Sequence, residues 1–382
     1  MMRVSISGDF CPQLRIYKAI EREDYSFFDE VKKLLIDSDY SIVNLECPII
    51  HSDFKPIDKT GPNLGCETDK AVDCLVKTGF NCVTLANNHF RDYGQDGVDF
   101  TIAACKKYGI EYCGGGKDIY EASKVLYKEI DGETLAIINV CEHEWSIATK
   151  ERSGSAPLDL VDTVLSIEKA NNEADYVLVI VHGGVEHYNL PTPRMKKLYR
   201  YFIDRGADAV INHHQHCYSG YEEYSGKPIL YGLGNFSFDI NSPTKKWCEG
   251  FMVRLLLNKG TIDYKLIPYT QCTITNPAVH FLHDDRSFNT SIDDLNMIIA
   301  SDGLLEQNFE VLCKDGLRRF APILYPYKNR YLRALAIRGL LPPFVSKNRL
   351  KYLRAFSSCE SYHESLLNFL DNKLLLSDKN RN

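Results

Sequence analysis

Polar side chains with the chemistry of metal ligands follow five separate apolar segments of the chain. They are Asp9, Glu46, Asn88, His89, His182, Glu186, His213, His214 and His216. A set that mixes imidazole with carboxylate and amide oxygens suits zinc, manganese or iron, whereas calcium prefers oxygen ligands alone. The residue types therefore point to a site for a divalent transition metal.

The apolar segments that precede these residues have the composition of buried strands, rich in Val, Ile and Leu. They are Arg3–Ser7, Ser41–Leu45, Asn81–Leu85, Thr134–Val140, Tyr176–Val181, Ala209–Asn212 and Pro228–Tyr231. Amphipathic helical patterns lie between several of them, at Asp69–Thr78, Val98–Tyr108 and Arg194–Arg205, each followed by glycine. Alternating strands and helices indicate an α/β sheet, in which ligands bind at the carboxyl ends of the strands. The candidate ligands all fall at that edge.

Each of these residues has a structural alternative when it is taken alone. Asp9 could cap a helix or close a turn, and His182 could be a hydrogen-bonded histidine at a strand end. His214 and His216 are more informative, because alternate residues of a strand point to opposite faces unless the chain turns. A turn there would let both imidazoles face one site. The joint occurrence at five strand ends favours a functional site.

Beyond the ligand-bearing segments the pattern changes. Gly250–Leu257 and Thr261–Leu266 predict a hairpin with a glycine-containing turn, which extends the sheet of the same domain. From about Thr275 onward the helical pattern dominates. We therefore predict a catalytic domain over residues 1–275 and a mostly helical, basic extension over residues 276–382.

The composition is that of a globular protein without a membrane span. The chain is 44% hydrophobic and 25% charged, and no stretch approaches the roughly 18 apolar residues of a transmembrane helix. The N-terminal MMRVSISGDF does not contain the apolar run of a signal peptide, so we expect a cytoplasmic protein. Thirteen cysteines without a CxxC pair fit buried thiols better than a disulfide framework or a zinc knuckle.

Charge is unevenly distributed along the chain. The net charge is −6, yet residues 314–354 hold eleven basic residues against one acidic residue, Asp315. The overall balance excludes a basic footprint for nucleic acid across the whole protein. The basic segment is expected either to contact an anionic membrane at its inner face or to form a helical cap on the acidic catalytic domain. Pro342-Pro343 interrupts any long amphipathic helix, which favours the cap.

The ligand-bearing segments also carry a family resemblance. LANNHFRDYGQDGVDFT, VIVHGGVEHYNLPTP and HHQHCYSGYEEYSGKPILYGLGNFSFD, with the GD and NLE motifs before them, resemble the CapA family of poly-γ-glutamate capsule biosynthesis proteins. The match covers about residues 3–240. The domain of that family is similar to calcineurin-like metallophosphoesterases. The resemblance implies an α/β fold, a four-layer αββα sandwich with a dinuclear metal centre at the strand ends and a mostly helical C-terminal extension beyond it.

The resemblance also implies which side chains hold the metals. The implied ligands are Asp9 and His216 on one metal, Asn88, His182 and His214 on the other, and Glu46 as the bridge between them. In the wider superfamily the first motif is Asp-x-His and the bridge is an aspartate. Here Cys11 and Glu46 stand at those two positions, so the first metal site is predicted to be the weaker one.

His89 and Asp92 are the candidate catalytic residues, and the resemblance implies the role of His89. An imidazole of near-neutral pKa is suited to protonating a departing alkoxide, so His89 would act on the leaving group. Asp92, three residues further on, would either orient His89 as a hydrogen-bond acceptor or cap the following helix.

Three functions are compatible with this set of residues. The first is a metal-dependent hydrolase of the phosphoesterase type, acting on a small or polymeric anionic substrate in capsule, poly-γ-glutamate or other surface-polymer biosynthesis. The second is a non-catalytic assembly or export factor for such a polymer. The third is a metal-dependent amidase that cleaves polyglutamate or peptidoglycan-like amides. The presence of Asn88-His89 together with His214-x-His216 favours a catalytic function over a non-catalytic one, because a degenerate site would be free to lose His89.

Overall fold

A computed structural model describes residues 1–315, 329–338, 340–341 and 347–359, with positions 363, 365–367 and 369–370 beyond them. The chain divides into two units, Met1–Glu306 and Gln307–Asn382. All the candidate ligands lie in the first unit, so the fold of that unit decides how they meet.

Strands and helices alternate along the first unit. The strands are β1 (Met2–Cys11), β2 (Tyr40–Leu45), β3 (Cys82–Thr84), β4 (Glu111–Cys113), β5 (Gly115–Gly116), β6 (Leu126–Ile130), β7 (Glu133–Cys141), β8 (Gly154–Ser155), β9 (Tyr176–His182), β10 (Ala209–His213), β11 (Tyr221–Tyr224), β12 (Lys227–Leu230), β13 (Asn235–Phe238), β14 (Glu249–Asn258), β15 (Thr261–Thr270) and β16 (His280–Phe281). The helices are α1 (Leu14–Glu21), α2 (Asp29–Leu35), α3 (Lys70–Thr78), α4 (Gly94–Tyr108), α5 (Ile119–Ala122), α6 (Leu160–Glu173), α7 (Pro193–Asp204), α8 (Lys245–Cys248), α9 (Arg286–Ala300) and α10 (Asp302–Asp315), followed by α11 (Arg330–Ile337) and α12 (Lys347–Ser358).

Two large sheets carry the candidate ligands. Within the described residues, the first sheet has eight strands in the order β16-β15-β14-β1-β2-β3-β4, and β13 pairs with β1 outside that path. The second sheet has six strands in the order β11-β12-β10-β9-β7-β6. The strands β1 to β4 run parallel, as do β12, β10, β9 and β7. Parallel strands place their carboxyl ends at one edge, so the residues that follow them converge.

Three buried clusters of apolar side chains show how the layers stack. One cluster lies between the two sheets and joins Ile6 and Ile42 of the first sheet to Ile180 and Ile211 of the second. Another packs the opposite face of the first sheet against helices, and its members include side chains of α1, α2, α3 and α4. A further cluster packs the second sheet against α6 and α7. Each sheet is therefore covered by helices on one face and by the other sheet on the other, which confirms the predicted four-layer αββα sandwich.

The predicted elements correspond closely to the observed ones. All seven predicted strands coincide with strands of the two sheets, because their continuous apolar sequences suit strands that are buried on both faces. The predicted hairpin is formed by β14 and β15, which pair antiparallel and join the first sheet through β1. The helix α9 follows the hairpin and buries Phe288, Ile292, Leu295 and Ile299 in the cores of the first unit. This unit extends to Glu306, and the division into domains at residue 275 stays a prediction.

The basic segment is only partly within the described residues. Arg318, Arg319, Lys328 and Pro342-Pro343 lie outside them. On α12 the side chains of Leu350, Tyr352 and Phe356 are exposed, and both expectations for this segment stay predictions. Among the described helices, none combines the length and the apolar character needed to cross a bilayer.

Gly8 precedes Asp9 on β1, and because it has no side chain, β13 can lie directly against β1 at this point. A Cβ atom on Gly8 would lie 1.9 Å from the carbonyl oxygen of Gly234, a distance that no relaxed structure accommodates. We expect Gly8→Ala to lower the free energy of unfolding by about 1–3 kcal/mol, as overpacking typically does. Urea denaturation measures this change.

The matched control for that variant is Gly303→Ala in the first turn of α10. A Cβ there meets nothing within 4 Å, so the control should keep or slightly raise stability, because alanine favours a helix over glycine. Equal destabilisation by the two variants would contradict the role assigned to Gly8.

Candidate metal centre

The carboxylate of Asp9 is held at the carboxyl end of β1 by neighbours from two other segments. It is 1% exposed, and Asn44 Nδ2 donates a hydrogen bond to its Oδ1 at 2.7 Å. The backbone N–H of His214 donates to Oδ2 at 3.3 Å. Burial raises the pKa of Asp9, and the neighbouring His216 opposes that rise. Asp9 is thus fixed in orientation before any ion binds.

Glu46 is a fully buried carboxylate that lies against Asp9. It follows β2, is 0% exposed, and within the described residues neither of its oxygens accepts a hydrogen bond from an N–H or O–H group. Its Oε1 lies 3.6 Å from His182 Nε2 and 3.5 Å from His216 Nε2. Burial, reinforced by the charge of Asp9, raises the pKa of Glu46 well above its ordinary value. A buried carboxylate without a donor is costly on its own, and a bound cation removes that cost.

His182, the last residue of β9, lies at the centre of the cluster. Its Nε2 is 3.1 Å from Asn88 Oδ1 and 3.1 Å from His214 Nδ1. Burial and the surrounding histidines lower the pKa of His182 well below its ordinary value. The ring is therefore neutral at physiological pH, which is the form that binds metals.

The two histidines after β10 reach the site because the chain turns there. His214 has φ +90° and His216 has φ +55°, both in the left-handed region that single residues of a turn occupy. The turn that the sequence suggested for this pair is therefore present. It brings His214 next to His182 and His216 next to Asp9, with the Nδ1 of His216 3.7 Å from Asp9 Oδ2.

The hydrogen bonds of Asn235 determine which nitrogen of His216 is available. Asn235 Nδ2 donates to the carbonyl oxygens of His216 and Trp247, which identifies Oδ1 as its acceptor atom. His216 Nδ1 lies 2.9 Å from that Oδ1 and must carry the proton. The lone pair of His216 is then on Nε2, the nitrogen that faces Glu46. An imidazole held by a hydrogen bond through its other nitrogen is the usual arrangement of a metal ligand.

Among the residues that the structure describes, two groups of side chains have the geometry to hold a metal ion. One consists of Asp9, Glu46 and His216 and the other of Glu46, His182 and His214, and within each group the ligand atoms all lie within 4.8 Å of one another. Glu46 belongs to both groups, and Asn88 Oδ1 adjoins the second through His182. The residues therefore fit divalent metal ions, while the number and identity of those ions stay predictions. Cys11 belongs to neither group, and burial raises the pKa of its thiol.

The candidate catalytic pair adjoins these groups. His89 Nδ1 lies 2.6 Å from Asp92 Oδ2, and Asp92 is fully buried. The helix α4 starts at Gly94, and its N-terminus receives no hydrogen bond from a capping side chain. Of the two roles predicted for Asp92, the contact with His89 is present and the cap is absent. His89 is close enough to His216 and Glu144 to affect their pKa values.

Three further residues at the site were missed or left without a role by the sequence analysis. Glu144 Oε1 is 3.7 Å from His214 Nε2, and Asn88 Nδ2 donates to Glu144 Oε2 at 3.5 Å. Glu144 follows the predicted strand Thr134–Val140, so the rule that found the other ligands would also have found it. His213 is buried with its Nδ1 3.5 Å from Asp9 Oδ1, and burial lowers its pKa to about 3. Lys59 forms an ion pair with Asp92. It lies on the loop between β2 and α3, whose sequence has neither the helical nor the strand periodicity of apolar residues.

Glu186 is the member of the predicted cluster that stays at the surface. Its side chain is exposed, although its charge contributes to the raised pKa values of Glu46 and Glu144. It therefore faces the solvent side of the centre. Trp247 covers another side, with its ring centroid 5.0 Å from that of His216.

The part of the chain that carries the candidate ligands matches a family model. The model of the bacterial capsule synthesis protein PGA_cap matches residues 3–240. The chain belongs to this family. The matched range contains every predicted ligand as well as His89 and Asp92, and the resemblance to the CapA family is confirmed.

Two Bacillus proteins are similar to this PGA_cap chain over about three fifths of its length. The capsule biosynthesis protein CapA of Bacillus anthracis is 31% identical over 246 residues, which cover 62% of this chain and 60% of that protein. The PGA biosynthesis protein CapA of Bacillus subtilis (strain 168) is 31% identical over 245 residues, which cover 63% and 64%. The matched part of the chain thus spans less than two thirds of the length of either relative.

Solved structures with low sequence identity are also similar to the chain. A phosphatase from Mycoplasma pneumoniae has a TM-score of 0.47 at 13% identity and covers 70% of this chain and 93% of its own. A 5'-nucleotidase precursor from Thermus thermophilus has a TM-score of 0.41 at 12% identity and covers 78% and 58%.

Proposed function

We propose that this chain is a metal-dependent hydrolase of the phosphoesterase type that acts in the biosynthesis of a bacterial surface polymer. The observation that supports it is the pair of ligand groups that share Glu46, with His89 and Asp92 beside them. A site that only stabilised the fold would need the ligands but would have no use for a buried, hydrogen-bonded imidazole next to them. Membership of a capsule synthesis family supports the link to a surface polymer.

Manganese, iron or zinc ions, two per chain, would be held by the predicted ligands, with Asn88 and His182 on the side of His214. Such ions lower the pKa of a bound water and stabilise the charge on the attacking and leaving oxygens. The residues of this chain have separate tasks. Asp92 accepts a hydrogen bond from the Nδ1–H of His89, and the ring protonated also at Nε2 gives that second proton to the leaving oxygen. The burial of Glu46 and His182 excludes bulk water from the ligands.

An anionic substrate suits this arrangement. The positive charge of two divalent ions would exceed the negative charge of the Asp9 and Glu46 carboxylates, so the loaded site would attract an anion. The Bacillus subtilis relative is a PGA biosynthesis protein by name. We therefore infer a phosphate ester or a polymer precursor that carries a phosphate. Glu144 favours a second candidate, the amidase, because a carboxylate near a metal ligand can act as the general base in amide hydrolysis.

The full chain, loaded in turn with Mn²⁺, Fe²⁺ and Zn²⁺, tests these functions. We expect close to two ions per chain by elemental analysis and metal-dependent release of phosphate from an ester panel. Release of amine from γ-glutamyl peptides without phosphate release would replace the phosphoesterase by the amidase. Full metal loading with neither activity would favour the assembly factor, and substoichiometric metal would contradict the metal centre.

A further inference from the structure

Lys59 is a buried cation in direct contact with the candidate catalytic pair. Its side chain is 3% exposed, its Nζ lies 3.3 Å from His89 Nδ1, and it forms an ion pair with Asp92 Oδ1. Burying an ammonium group costs several kcal/mol unless it is paired. Asp92 therefore fixes where Lys59 lies, and Lys59 in turn occupies one oxygen of Asp92.

The loop that carries Lys59 is fastened to Asp92 at two further points. We call residues 51–65 the strap. The backbone N–H of Leu64 donates to Asp92 Oδ2 at 2.7 Å, and that of Ile57 donates to the Asp92 carbonyl oxygen at 2.9 Å. Most of the other side chains of the strap are exposed or half-buried. Asp92 thus contacts three residues of the strap as well as His89.

We propose that Lys59 is a positioning residue for His89. By holding Oδ1 of Asp92, Lys59 keeps Oδ2 directed at His89 Nδ1 and makes Nδ1 the protonated nitrogen. The Nε2 of His89 then faces the substrate. It takes up a second proton from solvent, and the imidazolium gives that proton to the leaving oxygen, which returns the ring to its Nδ1–H form. This assignment rests on the proposed function, in which His89 gives a proton to the leaving oxygen.

The position of Lys59 argues against direct contact with the substrate. Its Nζ lies at the Nδ1 edge of His89, and Nε2 is on the opposite edge of the ring. Its charge is already paired with Asp92, whose side chain is 0% exposed. A lysine that bound an anionic substrate would affect KM, whereas a positioning lysine affects the step that needs the proton.

The activity test uses Lys59→Met in the full, Mn²⁺-loaded chain, with Lys55→Met as the matched control on the exposed part of the strap. The two substrates are p-nitrophenyl phosphate, whose phenolate leaves without a proton, and glycerol 2-phosphate, whose alkoxide needs one. We expect kcat of Lys59→Met on glycerol 2-phosphate to fall by about 10²-fold, the lower end of a general acid's contribution. KM, metal content and turnover of p-nitrophenyl phosphate should change little, and Lys59→Arg should restore most of the loss. Equal losses on both substrates, or a rise in KM alone, would overturn the assignment.

A second measurement does not depend on activity. The ¹⁵N spectrum of the histidine rings reports which nitrogen carries the proton, and the His89 signals are those missing in His89→Gln. We expect the Nδ1–H form in the wild type and in Lys55→Met, and a mixture of forms in Lys59→Met. A wild-type His89 protonated at Nε2 alone overturns the assignment, even if Lys59→Met does not fold. If the wild type hydrolyses neither ester while His89 shows the expected form and responds to Lys59→Met, the proposed function fails and the positioning contact stands.

Discussion

His214→Ala is expected to lose both bound metal and activity, whereas His89→Ala should lose activity alone. His214 belongs to a ligand group with Glu46 and His182, so its removal leaves that group with one ligand fewer. His89 belongs to neither ligand group and contacts Asp92 and Lys59 instead. A general acid typically contributes about 10²–10⁴-fold to the rate without holding the ion. Elemental analysis and steady-state kinetics on the same preparations measure the two effects.

The control for these variants is His143→Ala. His143 lies on the same loop as Glu144, its side chain is exposed, and it is in neither ligand group. This variant should keep wild-type metal content and activity. Equal metal loss in His89→Ala and His214→Ala would show that the two residues do not have separate roles.

Glu46→Leu is expected to abolish the rise in melting temperature that metal gives the wild type. A ligand present at 100 times its Kd stabilises the native state by about 2.7 kcal/mol, and Glu46 is the residue common to both ligand groups. Without metal the variant should be more stable than the wild type, because a buried polar group without a partner costs about 1–3 kcal/mol. Differential scanning calorimetry with and without Mn²⁺ gives both quantities.

Glu222→Leu is the matched control, because Glu222 is also largely buried but has partners. Arg200 pairs with it, and Tyr231 donates a hydrogen bond to its Oε1 at 2.6 Å. This variant should lower the melting temperature without metal and keep the rise that metal causes. A Glu46→Leu chain that still shows the full rise would contradict the role of Glu46 as the shared ligand.

Part of the site follows from the sequence alone. Continuous apolar segments identify parallel strands, and the carboxyl ends of such strands share an edge. Asp9, Glu46 and His182 could therefore be grouped without a structure. The same rule covers Glu144, which follows the strand Thr134–Val140 but was not among the predicted ligands. These inferences succeed for two reasons. The hydrophobic pattern of a strand can be read from neighbouring residues alone, and in every α/β sheet the carboxyl ends of the parallel strands lie at the same edge.

The contacts between side chains were decided by the tertiary structure. The fixed tautomer of His216 depends on Asn235, which reaches it because β13 pairs with β1. Lys59 meets Asp92 across 33 positions of the chain, from a loop without any repeating pattern. The contribution of α9 to the core of the sheets likewise depends on packing. Sequence patterns report which face of an element is buried, whereas the partner of a polar side chain depends on how distant elements pack, which no local pattern records.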